Sequence, residues 1–224
     1  MKKTSMNLAV TALAVIAVAK AQAEVIELTA AARQIGSSAY EVSASSEVSP
    51  YLATHAFDND WTKSSHDAWR SDPAGGLDQS LTYHLTDNFH PSSYIRVYYY
   101  SIYYNNAWCG AGTTQYPRKL PKSWTFEGSN DGTTWTVLDT HTDWNGWVRD
   151  AWNTFPAIGS SRTFRYFRLH ATNVCNTDAN HQFYSIPELH IYGEIFDSEA
   201  AAVAKRAWTG AAGSDDWSDG GNWT

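Results

Sequence analysis

Two carboxylates placed two residues apart, Asp58 and Asp60, form the most chemically suggestive pair in the sequence. They sit in the tight polar segment Ala56-Phe57-Asp58-Asn59-Asp60, where one side chain and neighbouring carbonyls can converge on a hard cation. Ca²⁺ takes six to eight oxygens at about 2.4 Å, carbonyls and hydroxyls included, and such a loop supplies them. Asn59 between them tolerates the positive φ that a tight loop demands. The two cysteines, Cys109 and Cys175, lie in polar, Gly/Asn-rich stretches with no His or Cys at ligand spacing beside either, which argues against zinc. No nucleophile elbow, zinc motif or phosphate-binding loop occurs, so no catalytic residue is expected and the chain reads as a non-enzyme.

The ends of the chain set its compartment. Lys2 and Lys3 precede an apolar run, Leu8 to Ala19, too short to span a bilayer, and Ala21-Gln22-Ala23 has the small-x-small pattern of a cleavage site. Residues 1–23 are therefore expected to be a secretory signal peptide, and the protein is expected to be secreted or at the cell surface. No later stretch is apolar enough for membrane insertion. In an oxidising compartment Cys109 and Cys175 are expected to form a disulfide.

Composition narrows the class further. The 224 residues carry a formal net charge of −7 with no clustered Lys/Arg stripe, which argues against nucleic acid as a partner. Eleven Trp and thirteen Tyr exceed what most cores need, and aromatic faces also stack on the apolar C–H patches of sugar rings.

The elements that must position these residues are strands. Alternating runs are read at Val42–Ser45, Ser80–Leu85, Tyr94–Tyr100, Ser123–Gly128, Trp135–Thr140, Arg165–Ala171 and Glu188–Glu194, with turn clusters between them. In Ser123–Leu138, Trp124 and Phe126 are read as pointing one way, Trp135 and Val137 likewise, around a Ser129-Asn130-Asp131-Gly132 turn. Many short strands with almost no amphipathic helix predict an all-β sandwich, for which periodicity alone leaves jelly-roll and Greek-key layouts open. Residues 24–41 are read as a lead-in holding a short strand or helical turn, 42–195 as the β-sandwich and 196–207 as a linker. Residues 208–224 are read as a tail.

The hairpin resembles that of discoidin domains, also called coagulation factor five/eight type C domains, in its SNDG-x-x-W pattern. Further segments resemble the same family in order: Ser43-Ala44-Ser45-Ser46-Glu47, Ala56-Phe57-Asp58-Asn59-Asp60 with Trp69, Arg165-Tyr166-Phe167-Arg168-Leu169, and Pro187-Glu188-Leu189-His190-Ile191-Tyr192-Gly193. With a bacterial export signal, the likeness points to the galactose-binding-like carbohydrate-binding modules of family 32, and so to a jelly-roll β-sandwich. Trp208 to Thr224 resembles the opening of an autotransporter-associated β-repeat, which implies a longer multidomain protein.

The resemblance implies a structural calcium ion. It adds Glu188 and the carbonyl of His55 to Asp58 and Asp60, and gives Ser65 or Asp67 the place of the family's threonine. It places sugar binding on rim loops, and so on His66, on Asn105, Asn106 and Trp108, and on His181, Phe183 and Tyr184, with Arg118 as the candidate for the family's arginine. The expected function is a secreted, non-catalytic, calcium-stabilised module that binds glycans or glycoconjugates. The alternative is an adhesion or structural module that binds protein or other surface ligands.

Overall fold

The computed structural model describes residues 24–61, 67–91, 94–109 (107 and 108 by backbone only), 117–157, 162–175 and 182–196. The expected signal peptide at 1–23, the expected linker beyond 196 and the tail lie outside the described residues, as do His66, Ser65, His181 and the side chain of Trp108.

Two antiparallel sheets face each other. One has four strands in the order β1 (Ile26–Glu27), β11 (Leu189–Ile195), β5 (Ile95–Tyr104), β8 (Ala151–Pro156). The other has five, β2 (Tyr40–Ala44), β4 (Gln79–Leu85), β9 (Tyr166–Val174), β6 (Pro121–Ser129), β7 (Thr136–His141). A two-stranded ribbon of β3 (Trp69–Arg70) and β10 (Ser185–Ile186) completes the sandwich. All seven strands read from the sequence are present; β8 and the two-residue strands β1, β3 and β10 are additional.

The period-2 pattern explains the layering. β4 alternates buried and half-buried residues along its whole length, so Leu81, Tyr83 and Leu85 enter the core. Across the gap Tyr100 stacks on Phe126 at 4.2 Å, and Trp124 donates its indole N–H to the Tyr100 hydroxyl at 2.7 Å. The second arm of the hairpin departs from the expected facing. Leu138 is the inward residue, whereas Val137 is exposed and Trp135 lies on the outer surface under the Arg168 guanidinium. A bulge between Phe126 and Glu127 shifts the register, and a one-residue shift exchanges the faces. The turn itself forms as read: Gly132 takes φ +69°, and Asp131 accepts the amides of Thr133 and Thr134.

The lead-in contains both a strand, β1, and a helix, α1 (Leu28–Ile35). Its alanines favour the helix, Leu28 and Ala32 are fully buried against the core, and Gly36 at φ +120° closes it by donating to the Ala32 carbonyl. Residues 24–41 thus pack as part of the sandwich.

The expected disulfide does not form. Cys109, fully buried, aims its thiol at the Ser185 carbonyl (3.6 Å), and Cys175 aims its own at the Pro121 carbonyl (3.3 Å), so the two sulfurs are turned onto different strands and both cysteines are free. Burial raises both thiols above their ordinary range, Cys175 to about 12.

Candidate functional site

The site-bearing loops gather at one end of the sandwich, where β5 and β9 finish and where β6, β8 and β11 begin. On β5, Tyr100, Ile102 and Tyr104 are core residues, so Tyr99, Ser101 and Tyr103 must face outward. Pairing then sets Tyr103 beside Trp152 of β8, and Ser101 beside both Thr154 of β8 and His190 of β11. The result is an outer face unusually rich in half-buried rings.

Trp61, from the end of the acidic loop, folds over this face. Its ring lies 5.1 Å from Trp152, edge-on at 68°, 5.9 Å from Tyr103 and 6.0 Å from His190. Trp152 in turn lies 4.2 Å from His190 and 5.3 Å from Tyr103. Asn105, the first residue after β5, fixes the loop by donating its amide to the Trp61 carbonyl at 2.8 Å. Further along the same face, Tyr99 and Tyr192 stack at 4.5 Å, and the Ser101 and Thr154 hydroxyls meet at 2.8 Å. Rings interleaved with hydroxyl, amide and imidazole groups can stack on a sugar and bond its hydroxyls.

The acidic loop is tied to the same place from beneath. Asn59, at φ +68°, donates its backbone N–H to both oxygens of Glu188 (3.1 and 3.0 Å), and Glu188 is fully buried just before β11. Burial raises the Glu188 carboxyl, while His190 and the Asn59 amide oppose the rise. Asp58 accepts the Asp60 amide on one oxygen (3.0 Å) and faces His55 Nδ1 with the other (3.1 Å). Arg33, in the last turn of α1, donates to the Phe57 carbonyl at 2.9 Å and to Asn59 Oδ1 at 3.4 Å. Asp67 has one carboxylate oxygen buried without a hydrogen-bond partner. Among the described residues no group of three His, Cys, Asp or Glu could hold a metal ion. Of the oxygens expected to ligate calcium, those of Asp58 and Glu188 face N–H groups.

The remaining expected sugar ligands separate into two groups. Asn105 and Asn106 do reach the rim; Asn106 donates its backbone N–H to Asp150 at 2.9 Å, and its side-chain oxygen is buried without a hydrogen-bond partner. Phe183 and Tyr184 do not serve as a platform. Phe183 is 4% exposed, with Arg70 and Lys119 over its ring at 4.1 and 5.3 Å. Tyr184 is fully buried, stacked on Trp69, with its hydroxyl on the Leu77 carbonyl at 2.7 Å. Arg118 is half-buried, its backbone N–H on the Cys109 carbonyl. A recess of about 220 Å³ lined by Lys122, Trp144, Asn145 and Cys175 opens at the same end, and the Trp144 indole N–H is buried there without a partner.

The sequence reading missed Trp61, Tyr103, Trp152 and His190 as a cluster. Trp152 and the Tyr103 run look like strand packing by pattern. Only their outward position on β5 and β8 could have marked them.

No protein-family model matches the sequence, and no curated protein does. Solved structures do. One is a family 32 carbohydrate-binding module from a family 31 glycoside hydrolase of Clostridium perfringens, 20% identical, with 70% of this chain covering 92% of that one and a TM-score of 0.51. Another is a fucolectin from striped bass serum, 13% identical, with 77% of this chain covering 48% of that one and a TM-score of 0.50. The chain shares the antiparallel β-sandwich fold of these two structures.

Proposed function

We propose that this chain is a glycan-binding module of an exported protein, and that Trp61, Tyr103 and Trp152 form its sugar platform, with the buried His190 ring packed against Trp61 and Trp152. The observation that carries the reading is the packing of Trp61 over Trp152 and His190 at the rim. The carbohydrate-binding modules that share the fold support it. A ring face receives the apolar C–H side of a hexose, while Asn105, Asn106 and Thr154 supply donors and acceptors for its hydroxyls.

Binding without turnover is the better reading of the acidic groups. Asp58, Asp150 and Glu188 each accept a backbone amide, which commits them to holding loops. A general acid or base needs a carboxyl free to meet substrate. The export reading rests on residues 1–23.

A glycan array followed by calorimetry tests the proposal. A defined glycan bound with millimolar-to-micromolar affinity, and bound more weakly by Trp152→Ala, supports it. An array blank at high protein concentration refutes it and favours the adhesion alternative, and measurable glycoside turnover overturns the non-catalytic part.

A further inference from the structure

We propose that Arg33 is a built-in cation for the acidic loop, so that the loop is held beside Glu188 by a guanidinium instead of a calcium ion. A fully buried carboxylate needs positive charge and hydrogen bonds around it. Glu188 receives both. Each of its oxygens accepts the Asn59 amide, Arg33 Nη1 stands 3.8 Å from Oε1, and His190 Nε2 stands 3.3 Å from the same oxygen.

The guanidinium's other contacts show the same design. Nη1 bonds the Phe57 carbonyl at 2.9 Å, and Nη2 bridges Glu27 Oε1 at 3.1 Å and Asn59 Oδ1 at 3.4 Å. One guanidinium therefore hydrogen-bonds the lead-in and the acidic loop and sets its charge 3.8 Å from Glu188 at the foot of β11. A planar, permanently charged group with several N–H donors suits this set of oxygens. A calcium ion would require six to eight oxygens free of such donors, and would bring two positive centres together.

Helix α1 makes the placement possible. Leu28 and Ala32 are fully buried, which fixes the helix, and Arg33 projects from its last turn with side-chain exposure of only 16%. The charge that holds the rim thus comes from the chain segment preceding the expected start of the domain at residue 42.

The test compares thermal melting of the purified protein with millimolar CaCl₂ and with EDTA, alongside calorimetric titration with CaCl₂. The wild type is expected to melt at one temperature in both buffers and to show no 1:1 calcium binding. Arg33→Met is expected to lower the melting temperature by on the order of 10 °C, because it removes a cation beside a buried carboxylate together with the bonds to Phe57, Glu27 and Asn59. Stoichiometric calcium binding by the wild type, with a melting temperature that EDTA lowers, would overturn the proposal. So would an Arg33→Met protein that melts like the wild type. Should that variant fail to fold, the wild-type calcium titration decides alone.

Discussion

Trp61 and Trp152 meet edge to face, ring centres 5.1 Å apart, although one leaves the acidic loop and the other begins β8. Removing Trp152 takes away the ring against which Trp61, Tyr103 and His190 are all set. Trp152→Ala is expected to weaken glycan binding about 30-fold, corresponding to roughly 2 kcal/mol for a central aromatic contact. Calorimetry on the best array ligand measures this. Circular dichroism should show an intact sandwich, because Trp152 is half-buried on the outer face.

The bond from Trp124 Nε1 to the Tyr100 hydroxyl, 2.7 Å long, joins the two sheets inside the core. Tyr100→Phe keeps the ring that stacks on Phe126 but leaves a buried indole N–H unpaired. A loss of about 2 kcal/mol in unfolding free energy is expected, the usual cost of an unsatisfied buried donor. Urea denaturation would show it as a lower midpoint with unchanged slope.

Buried phenols and thiols set the alkaline limit. Tyr98 is raised from 10.0 to about 12, by burial first and by Glu194 second, and Cys175 from 9.0 to about 12 by burial. Tyr83, Tyr100, Tyr184 and Cys109 are raised too, burial being the leading cause in each. The folded state disfavours the ionised forms, so their contribution is intact below the unfolded values. It is lost as pH climbs through the window from about 9 to 12. Urea midpoints are expected to be flat across neutral pH as far as these groups are concerned and to fall steadily above about pH 9.

The free thiols make a direct chemical prediction. A thiol-reactive dye should leave Cys109 unlabelled in the native protein, where it is fully buried, and should count two thiols after unfolding. Adding a reductant should leave the melting temperature unchanged. A count of zero in the unfolded, unreduced protein would restore the disulfide.

Much of the scaffold was legible because its signals are local. The Asp131-Gly132 turn states its own φ requirement, and β4 writes its buried face as strict alternation from Gln79 to Leu85. The family-like segments belong to this scaffold as well. Arg165, for one, spends its guanidinium on the carbonyls of Leu85 and His90. The facing of Trp135 and Val137 was not legible, since the register shift that leaves Leu138 unpaired against β6 decides it.

The candidate site was legible only in outline. Asn105 and the acidic loop announced a polar rim, yet Phe183 and Tyr184 look like ligand-facing aromatics in sequence and are core residues in space. Trp61, Tyr103 and Trp152 show the converse. An aromatic residue in a strand has the same local pattern whether its face is covered or open.

By itself, the sequence determined the all-β sandwich, the order of its main strands, the central turn and the position of the acidic loop. Each rests on periodicity or backbone preference within a few residues. Tertiary structure alone decided which rings form the platform, that the two thiols face different carbonyls, and that Arg33 meets Glu188. Those outcomes depend on strand register and on packing between segments distant in the chain, which short-range pattern does not encode.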